Sequence, residues 1–395
     1  MTVVVTDHHE IVFEESNGEK KYILPNADAI VNHKQIDCQY PFKELCGAMV
    51  AFQFMRALFE NMHVSERFIL KLLPYGAMAT VCDVVELKGE NRIIVKEGLE
   101  ALKTNNDIGI NALINQCKLN KKNLDSYHFG FVLGPCLNAS GRLDTAKKAM
   151  DLLECEDEKY AEVLAEALKK LNDERKDLTE KGTKEAIEKA EQLDDSVLVI
   201  YLEHCHESIA GIIAGRVREK YNKPTIVLTD AVEGVKGSGR SIEEYDMYAE
   251  LTKVKELFTK FGGHKMAAGV SLPKENIDIL RKKLNENCNL TQEDLYLKVW
   301  IDMQLPLEYV TMNMIQELSI IKPFGKGNEK PIFAEKHLKI NKLQILGKNG
   351  NVLKLTITNS SSYTMTAMIF SRVIDFMEFL KNKFGQEEIN KALVG

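Results

Sequence analysis

The sequence predicts an α/β protein in which two α/β lobes are joined by a long helical stalk and followed by a small β-barrel. Three observations predict it. Residues 2–6, TVVVT, are continuous and β-branched, the composition of a strand buried on both faces of a parallel sheet. Residues 156–192 contain no proline and one glycine, and they set Leu, Val and Ala at helical spacing among charges. From about residue 295, short strand-like runs alternate with Gly and Asn, the pattern of a small barrel.

The elements follow in order. Leu45, Met49, Phe52, Met55 and Phe59 recur at helical spacing over residues 44–60, and a second helix over 66–73 stops before Pro74. GAMATVCDVVEL (76–87) reads as a helix or strand entering a loop that holds Asp83. Residues 91–103 and 107–117 are predicted helices, and the stalk is one or two more. SVLVIYLE (196–203) and PTIVLTD (224–230) read as strands around a helix over 208–221. VKGSGRS (235–241) is Gly-rich, and AAGVSL (267–272) is strand-like. The terminal runs are LKVWIDMQL, PIFAEKHLKI, KLQILG, VLKLTITN and YTMTAMIF. The expected boundaries are 1–150, 151–194, 195–290 and 291–395, without internal repeats or low-complexity segments.

Composition narrows the function classes. A chain of 395 residues suits two or three domains at roughly 100–200 residues each. Hydrophobic residues at 45% and charged residues at 28% exclude general disorder. No apolar run reaches the ~20 residues of a membrane span. The net charge of −6 does not advertise a nucleic-acid binder. It is uneven, however: residues 295–395 hold 13 Lys and Arg against 9 Asp and Glu, a balance of +4, so the preceding residues carry −10. Eight cysteines without a CxxC pair or an export signal predict reduced thiols and a cytoplasmic protein.

Asp7-His8-His9 directly follows the first strand, and in open parallel sheets ligands bind beyond the carboxyl ends of strands. One carboxylate with two imidazoles suits Mn²⁺ or another first-row divalent ion. Taken alone, such a tripeptide is more often a surface loop. It is not alone. VVVTDHHE resembles the signature of the DHH phosphoesterases. Asp83 in CDVVELKGENR, and LGPCLNASGRLDTA (133–146), resemble segments of the RecJ branch of that superfamily. SGRS (238–241) and FGGHKMAAG (261–269) resemble the DHHA1 domain, and IKPFGKGNEKPIF (321–333) resembles the opening of the RecJ OB-fold. These motifs stand in family order across nearly the whole chain.

The resemblance implies a truncated DHH parallel-sheet lobe, a long connecting helix, a DHHA1 α/β lobe and an OB-fold β-barrel. It implies a single-stranded-DNA-specific 5′→3′ exonuclease of DNA repair and recombination, hydrolysing phosphodiesters with a binuclear Mn²⁺ or Mg²⁺ centre. His8 would then be a metal ligand, and Asp7 would hold its ring or reach the metal. His9 would face the metal or the scissile phosphate, and Asp83 would bring a carboxylate from another strand end. Arg240 and Ser241 would engage a phosphate, as would Gly262, Gly263 and His264 in a flexible turn. Asn138 and Arg142 would contact DNA. His33, His63, His128, His204 and His337 read as surface or packing residues. His206 precedes a helix where the family also tends to have a histidine.

In the terminal module Lys322, Lys326, Lys330, Lys336, Lys339, Lys342, Lys348 and Lys354 form a basic series. Phe324, Phe333 and Tyr363 are candidates for base stacking, though Phe324 and Phe333 equally suit a core. Val352 stands where RecJ proteins often have histidine. The family's further aspartate ligands would precede residue 1, so the chain is expected to hold a partial metal site. Two other readings stand beside the exonuclease: a noncatalytic single-strand-binding protein, and a DHH/DHHA1 phosphodiesterase of short oligonucleotides or cyclic dinucleotides. The expected partners are single-stranded DNA and a single-strand-binding protein or helicase, with the chain itself a monomer.

Overall fold

The computed structural model describes residues 1–16, 19–347 and 350–393. They form two units. One comprises Met1–Lys298 with Gly325–Asn328, and the other Val299–Phe324 with the residues from Glu329 onward. Among the described residues no helix is long and apolar enough to cross a membrane.

The first unit opens with β1 (Val4–Thr6), a hairpin of β2 (Phe13–Ser16) and β3 (Glu19–Tyr22), and β4 (Ala29–Val31). β1 pairs in parallel with β4. Burial of TVVVT on both faces is not observed: Val3 and Val4 are 40% and 43% exposed. Among the described residues β4 is the only strand paired with β1, so the apolar side chains lack a covering layer. Helices follow: α1 (Gly47–Asn61), α2 (Arg67–Leu70), α3 (Leu73–Cys82), α4 (Gly89–Thr104), α5 (Ile108–Gln116), α6 (Ser126–His128), α7 (Gly134–Leu143) and α8 (Lys147–Leu153). Pro74 fits the first turn of α3, where its missing N–H is not needed. Small residues then let α4 ride on α3: a Cβ at Gly98 would lie 2.3 Å from that of Ala77. Met49, Ala77, Val95, Leu113, Phe129 and Leu133 lie in the resulting core.

The stalk is one helix, α9 (Glu158–Ala190), of 33 residues. Asp157 caps it by accepting from the Tyr160 amide at 2.7 Å, a contact worth about 1 kcal/mol. Its first half buries Ala161, Leu164, Ala165 and Leu168 in the helical core. Its end buries Ala186 and Ala190 against β5 (Leu198–Tyr201) and α10 (Glu207–Tyr221). The helix is therefore a wall shared by two cores rather than a free spacer.

The second lobe continues with β6 (Thr225–Asp230), β7 (Val235–Arg240), α11 (Met247–Thr252), β8 (Lys260–His264), β9 (Ala267–Leu272) and α12 (Ile277–Glu286). The sheet order is β5-β6-β7-β9-β8, parallel at β5-β6 and antiparallel elsewhere. The Gly-rich 235–240 segment is a full strand. A Cβ at Gly237 would sit 2.2 Å from the Val227 carbonyl oxygen, so glycine there permits the close approach of β6 and β7.

In the second unit β10 (Met303–Gln304) pairs in parallel with β11 (Phe333–Ala334), and α13 (Met312–Leu318) lies between them in sequence. β12 (Lys339–Leu346), β13 (Val352–Thr358) and β14 (Thr364–Ile369) form an antiparallel meander. The described strands do not close into the expected barrel. The apolar face of the meander, with Leu343, Leu353 and Leu355, is covered instead by Val373, Met377 and Leu380 of α14 (Val373–Phe384) and by Ile389 of α15 (Gln386–Ala392). These two helices were not anticipated from the sequence.

Candidate active site

The Asp7 amide donates to the Val31 carbonyl at 3.0 Å, which fixes the Asp-His-His segment at the end of the β1-β4 pair. Asp7 Oδ1 then accepts from the His8 amide (2.7 Å), the His9 amide (3.3 Å) and His9 Nδ1 (2.7 Å). Burial acts to raise the Asp7 pKa, but the His9 ring and the two amides outweigh it and hold the carboxyl below its ordinary value. The His8 ring lies against the start of α1, where a Cβ at Gly47 would be 3.2 Å from its Cδ2. Its Nδ1 is 3.5 Å from Asp83 Oδ2. Asp83 caps the C-terminus of α3 and is not at a strand end, because the small apolar run before it packs as a helix. Buried Asn32, just past β4, donates to the His9 carbonyl at 2.9 Å. Sequence reasoning missed it, since a lone Asn carries no periodic signal.

The ligand atoms of Asp7, His8 and His9 lie within 4.8 Å of one another, the one such group among the described residues. With Asp83 they offer carboxylate oxygen and imidazole nitrogen, a mixture that fits one first-row divalent ion. Three donors already occupy Asp7 Oδ1, which leaves Oδ2 for a cation. The described residues supply no second cluster for a second ion.

A separate array is built on the second sheet. Arg240 pairs with Ala267, and Ala267 with His264, so the three stand in one cross-strand row on one face. Two positions along, Ser238, Gly269 and Gly262 form the next row on that face. Nothing lies within 4 Å of a Cβ built at Gly262 or Gly269, so this part of the sheet is a bare floor. Gly262 and Gly263 are in β8 and not in a turn. The turn is Lys265–Met266, closed where the Met266 amide donates to His264 Nδ1 at 3.2 Å. Ser241 does not offer its hydroxyl: it is buried and donates to the Tyr245 carbonyl at 2.6 Å.

Arg240 donates from Nη1 to its neighbour's carbonyl, Gly239 O, at 2.7 Å. Its other tip fills the space left by Gly211 of α10, where a Cβ would meet Nη2 at 2.7 Å. Burial lowers its pKa, and the positive charges of Arg142 and Arg218 add to the shift. On α7, Asn138 and Arg142 are exposed one turn apart, and Arg142 Nη1 donates to the Ser208 carbonyl at 2.6 Å. Arg175 of α9 donates twice to Asn172 Oδ1, at 3.2 and 2.9 Å. Burial lowers the Arg175 pKa too, with Arg142 and Arg216 contributing. Among the described residues none of Arg142, Arg175, Arg216 and Arg240 has a carboxylate partner. Like charges gathered without counter-charges repel, and an anion relieves them. Sequence reasoning missed Arg175, Arg216 and Gly211, because in charged or small-residue helical runs they look like a solvated face or packing.

Two of the remaining histidines make local contacts. His33 is buried against the Lys43 carbonyl (2.8 Å), and His206 caps α10, its ring 2.7 Å from Ser208 Oγ. In the second unit Lys342 aligns with Thr356 and Thr366, and Lys354 with Gln344 and Met368, on the face opposite the Leu355 core. Tyr363 is exposed, and Phe324 and Phe333 are half-buried. Lys348 lies outside the described residues.

A lobe whose paired strands end in Asp-His-His, a long helix and a five-stranded lobe bearing Gly-Gly-His are the parts that the sequence resemblance to DHH/DHHA1 proteins leads one to expect. Comparison agrees: the DHHA1 domain matches residues 194–290 and the RecJ OB domain residues 301–387. The single-stranded-DNA-specific exonuclease RecJ of Bacillus subtilis is 36% identical over 368 residues, 92% of this chain and 45% of that protein. The protein of the same name from Escherichia coli is 33% identical over 369 residues, 88% of this chain and 62% of the other. An exonuclease RecJ solved bound to manganese superposes with a TM-score of 0.59 at 27% identity, covering 72% of this chain and 68% of that one. RecJ of Thermus thermophilus in complex with Mn²⁺ shares the fold, with a TM-score of 0.75 at 24% identity over 94% of this chain and 53% of that one. Over most of its length the chain is similar to curated RecJ exonucleases, and it carries a DHHA1 domain and a RecJ OB domain. It spans about half to three-fifths of the length of these curated relatives.

Proposed function

We propose that this chain supplies the single-stranded-DNA-gripping body and part of the metal centre of a RecJ-type exonuclease. That enzyme would degrade single-stranded DNA from the 5′ end in DNA repair and recombination, in the cytoplasm. The observation that carries the reading is the set of four arginines, Arg142, Arg175, Arg216 and Arg240, drawn from α7, α9, α10 and β7 without carboxylate partners. A guanidinium fork matches phosphate oxygens, and consecutive phosphates of a DNA strand would relieve the repulsion among the four. Beside Arg240, the open floor at Gly262 and Gly269 leaves room for a nucleotide, with His264 at its edge. Lys342 and Lys354, in neighbouring rows on one face of the meander, add cationic surface to the other unit.

His8, Asp83 and Asp7 would hold one divalent ion, Mn²⁺ or Mg²⁺, and His9 would steady Asp7. When bound, such an ion supplies charge neutralisation at a phosphodiester and acidification of water. The chain's own residues position the DNA: Arg240 and Arg142 hold backbone oxygens, and Arg175 keeps its direction through Asn172. In the two-metal chemistry of the family both ions share the charge of the reacting phosphate, and three ligands fit only one of them. The chain by itself is therefore expected to bind single-stranded DNA well and to hydrolyse it slowly. The test measures both on one preparation: anisotropy of labelled single-stranded DNA, and Mn²⁺-dependent release of nucleotides from 5′-labelled strands. Tight binding lost on Arg240→Ala supports the reading. Absence of binding at low salt overturns it, and rapid hydrolysis abolished by Asp83→Ala overturns the assignment of a partial centre.

A further inference from the structure

Away from the candidate site, α5, α7 and α9 bring two thiols together. Cys117 caps the C-terminus of α5 and is partly exposed, whereas Cys136 is buried in α7. Their Sγ atoms are 3.9 Å apart. Among the described residues no other two cysteines approach within hydrogen-bonding distance; Cys46, Cys82, Cys155 and Cys205 face Thr80 or backbone carbonyls instead. On α9, Asn172 donates from Nδ2 to Cys136 Sγ at 3.4 Å. Lys169 and Lys176, about one turn to either side of Asn172, add positive charge near the pair, and Asp173, itself bound to Lys169, opposes them.

We propose that Cys117 and Cys136 are an oxidation-sensitive dithiol that a peroxide closes to a disulfide. Exposure makes Cys117 the attacking sulfur and leaves buried Cys136 to resolve. The Cys117 thiolate attacks one peroxide oxygen; the O–O bond breaks, hydroxide leaves and the sulfur becomes a sulfenic acid. Cys136 then attacks that sulfur, the S–O bond breaks, and its proton leaves with the hydroxyl as water. In sum, two thiols and one peroxide give one disulfide and two waters, the two sulfurs supplying both electrons.

The surroundings favour this order. The hydrogen bond from Cys136 outweighs burial at Cys117, and with the two lysines it brings that thiol down to about 7, while the same bond and burial keep Cys136 protonated. Burial instead pushes Cys82 and Cys205 up to about 11. Closing the gap to a bond of about 2.05 Å asks for a modest approach. Cys117 can supply it, because the chain leaves α5 there through Lys118 in the left-handed conformation (φ 55°).

The bond would also act at a distance. Asn172 holds Cys136 with its amide nitrogen and Arg175 with its carbonyl oxygen, so drawing Cys136 toward Cys117 loosens the Arg175 guanidinium. This consequence rests on the proposed DNA-binding role, whereas the disulfide does not.

The experiment exposes the reduced full chain to hydrogen peroxide, alkylates it, digests it with trypsin and weighs the peptides. Residues 104–118 and 123–142 should appear joined, lighter by two hydrogens than their sum and separated again by dithiothreitol. Cys117→Ser, at a partly exposed position, should melt like the parent and lose this product. Alkylated Cys117 and Cys136 in a sample whose other cysteines have oxidised, or joining to a different cysteine, overturns the proposal. Oxidised protein should bind single-stranded DNA more weakly, with recovery on reduction. A disulfide that forms with unchanged affinity refutes the link through Arg175 alone. A reduced protein that binds no DNA refutes the functional reading and leaves the dithiol standing.

Discussion

His8 ends a strand and Asp83 ends a helix, and only their 3.5 Å approach turns scattered side chains into part of a ligand set. Mn²⁺ titration followed by electron paramagnetic resonance should therefore find about one ion per chain. His8→Ala and Asp83→Ala should each weaken it by roughly ten-fold or more, the scale on which ligand and ligand-orienting groups act. At the phosphate array, a hydrogen bond to a charged partner is worth about 1.5–3 kcal/mol, so Arg240→Ala should cost roughly ten-fold to a hundred-fold in affinity for single-stranded DNA. Its melting temperature should hardly move. The sequence motifs named Asp7, His8, His9, Asp83, Arg240 and His264 as candidates. They could not supply the approach of His8 to Asp83, which depends on how α1 and α3 pack around Gly47 and Gly76. Nor could they single out Arg175, because NDERKD reads as an ordinary solvated helix face until Asn172 is found buried beneath it.

Elements carry those residues, and two substitutions probe how. Gly211 of α10 leaves room for Arg240, and the atom that an added Cβ would meet is the movable tip of a side chain. Gly211→Ala should thus fold as well as the parent, or slightly better since alanine favours helix by about 1 kcal/mol, yet bind DNA as poorly as Arg240→Ala. Normal affinity in Gly211→Ala would show that the guanidinium does not work from this position. In the first lobe the Tyr75 hydroxyl of α3 donates to Asp107, which also caps α5 by accepting from the Ile110 amide at 2.9 Å. Burial, and then the Asp107 charge, raise the Tyr75 pKa well above its ordinary value. A raised folded-state pKa means stability that is complete below about pH 10 and lost as pH climbs through the folded value. Tyr75→Phe should lower the melting temperature at neutral pH, and the difference should shrink on the alkaline side. A constant difference would show that this bond does not titrate with folding. Periodicity revealed α1, α4, α5, α9 and α10, each with a clear apolar stripe. It failed at β7, whose glycines look like a loop until Gly237 is seen against the Val227 carbonyl, and at α14, whose Val373, Met377 and Leu380 follow directly on a run of strands.

At the scale of the whole molecule, a net charge of −6 hides a group of arginines, Arg142, Arg175, Arg216 and Arg240, that feel one another's charge. Composition alone would therefore not suggest the anionic strand that we propose as ligand, and only the order of several motifs pointed to it. The alternation of strand and helix periods over residues 196–272 was legible and corresponds to β5, α10, β6 and β9. The closed barrel expected from the sequence is not found among the described strands, because a meander covered by α14 has the same strand signature as a ring. Binding of single-stranded DNA should weaken steeply with salt, since each neutralised phosphate releases counterions and contributes about 0.7 to the slope of log affinity against log salt. The decisive experiment for strand binding by these arginines is this salt titration, made on the parent chain and on a variant combining Arg142→Ala with Arg240→Ala. The parent should show a steep slope and the variant one shallower by about 1.4, because two phosphates are no longer neutralised. Salt-independent binding, or equal slopes for the two proteins, would contradict it.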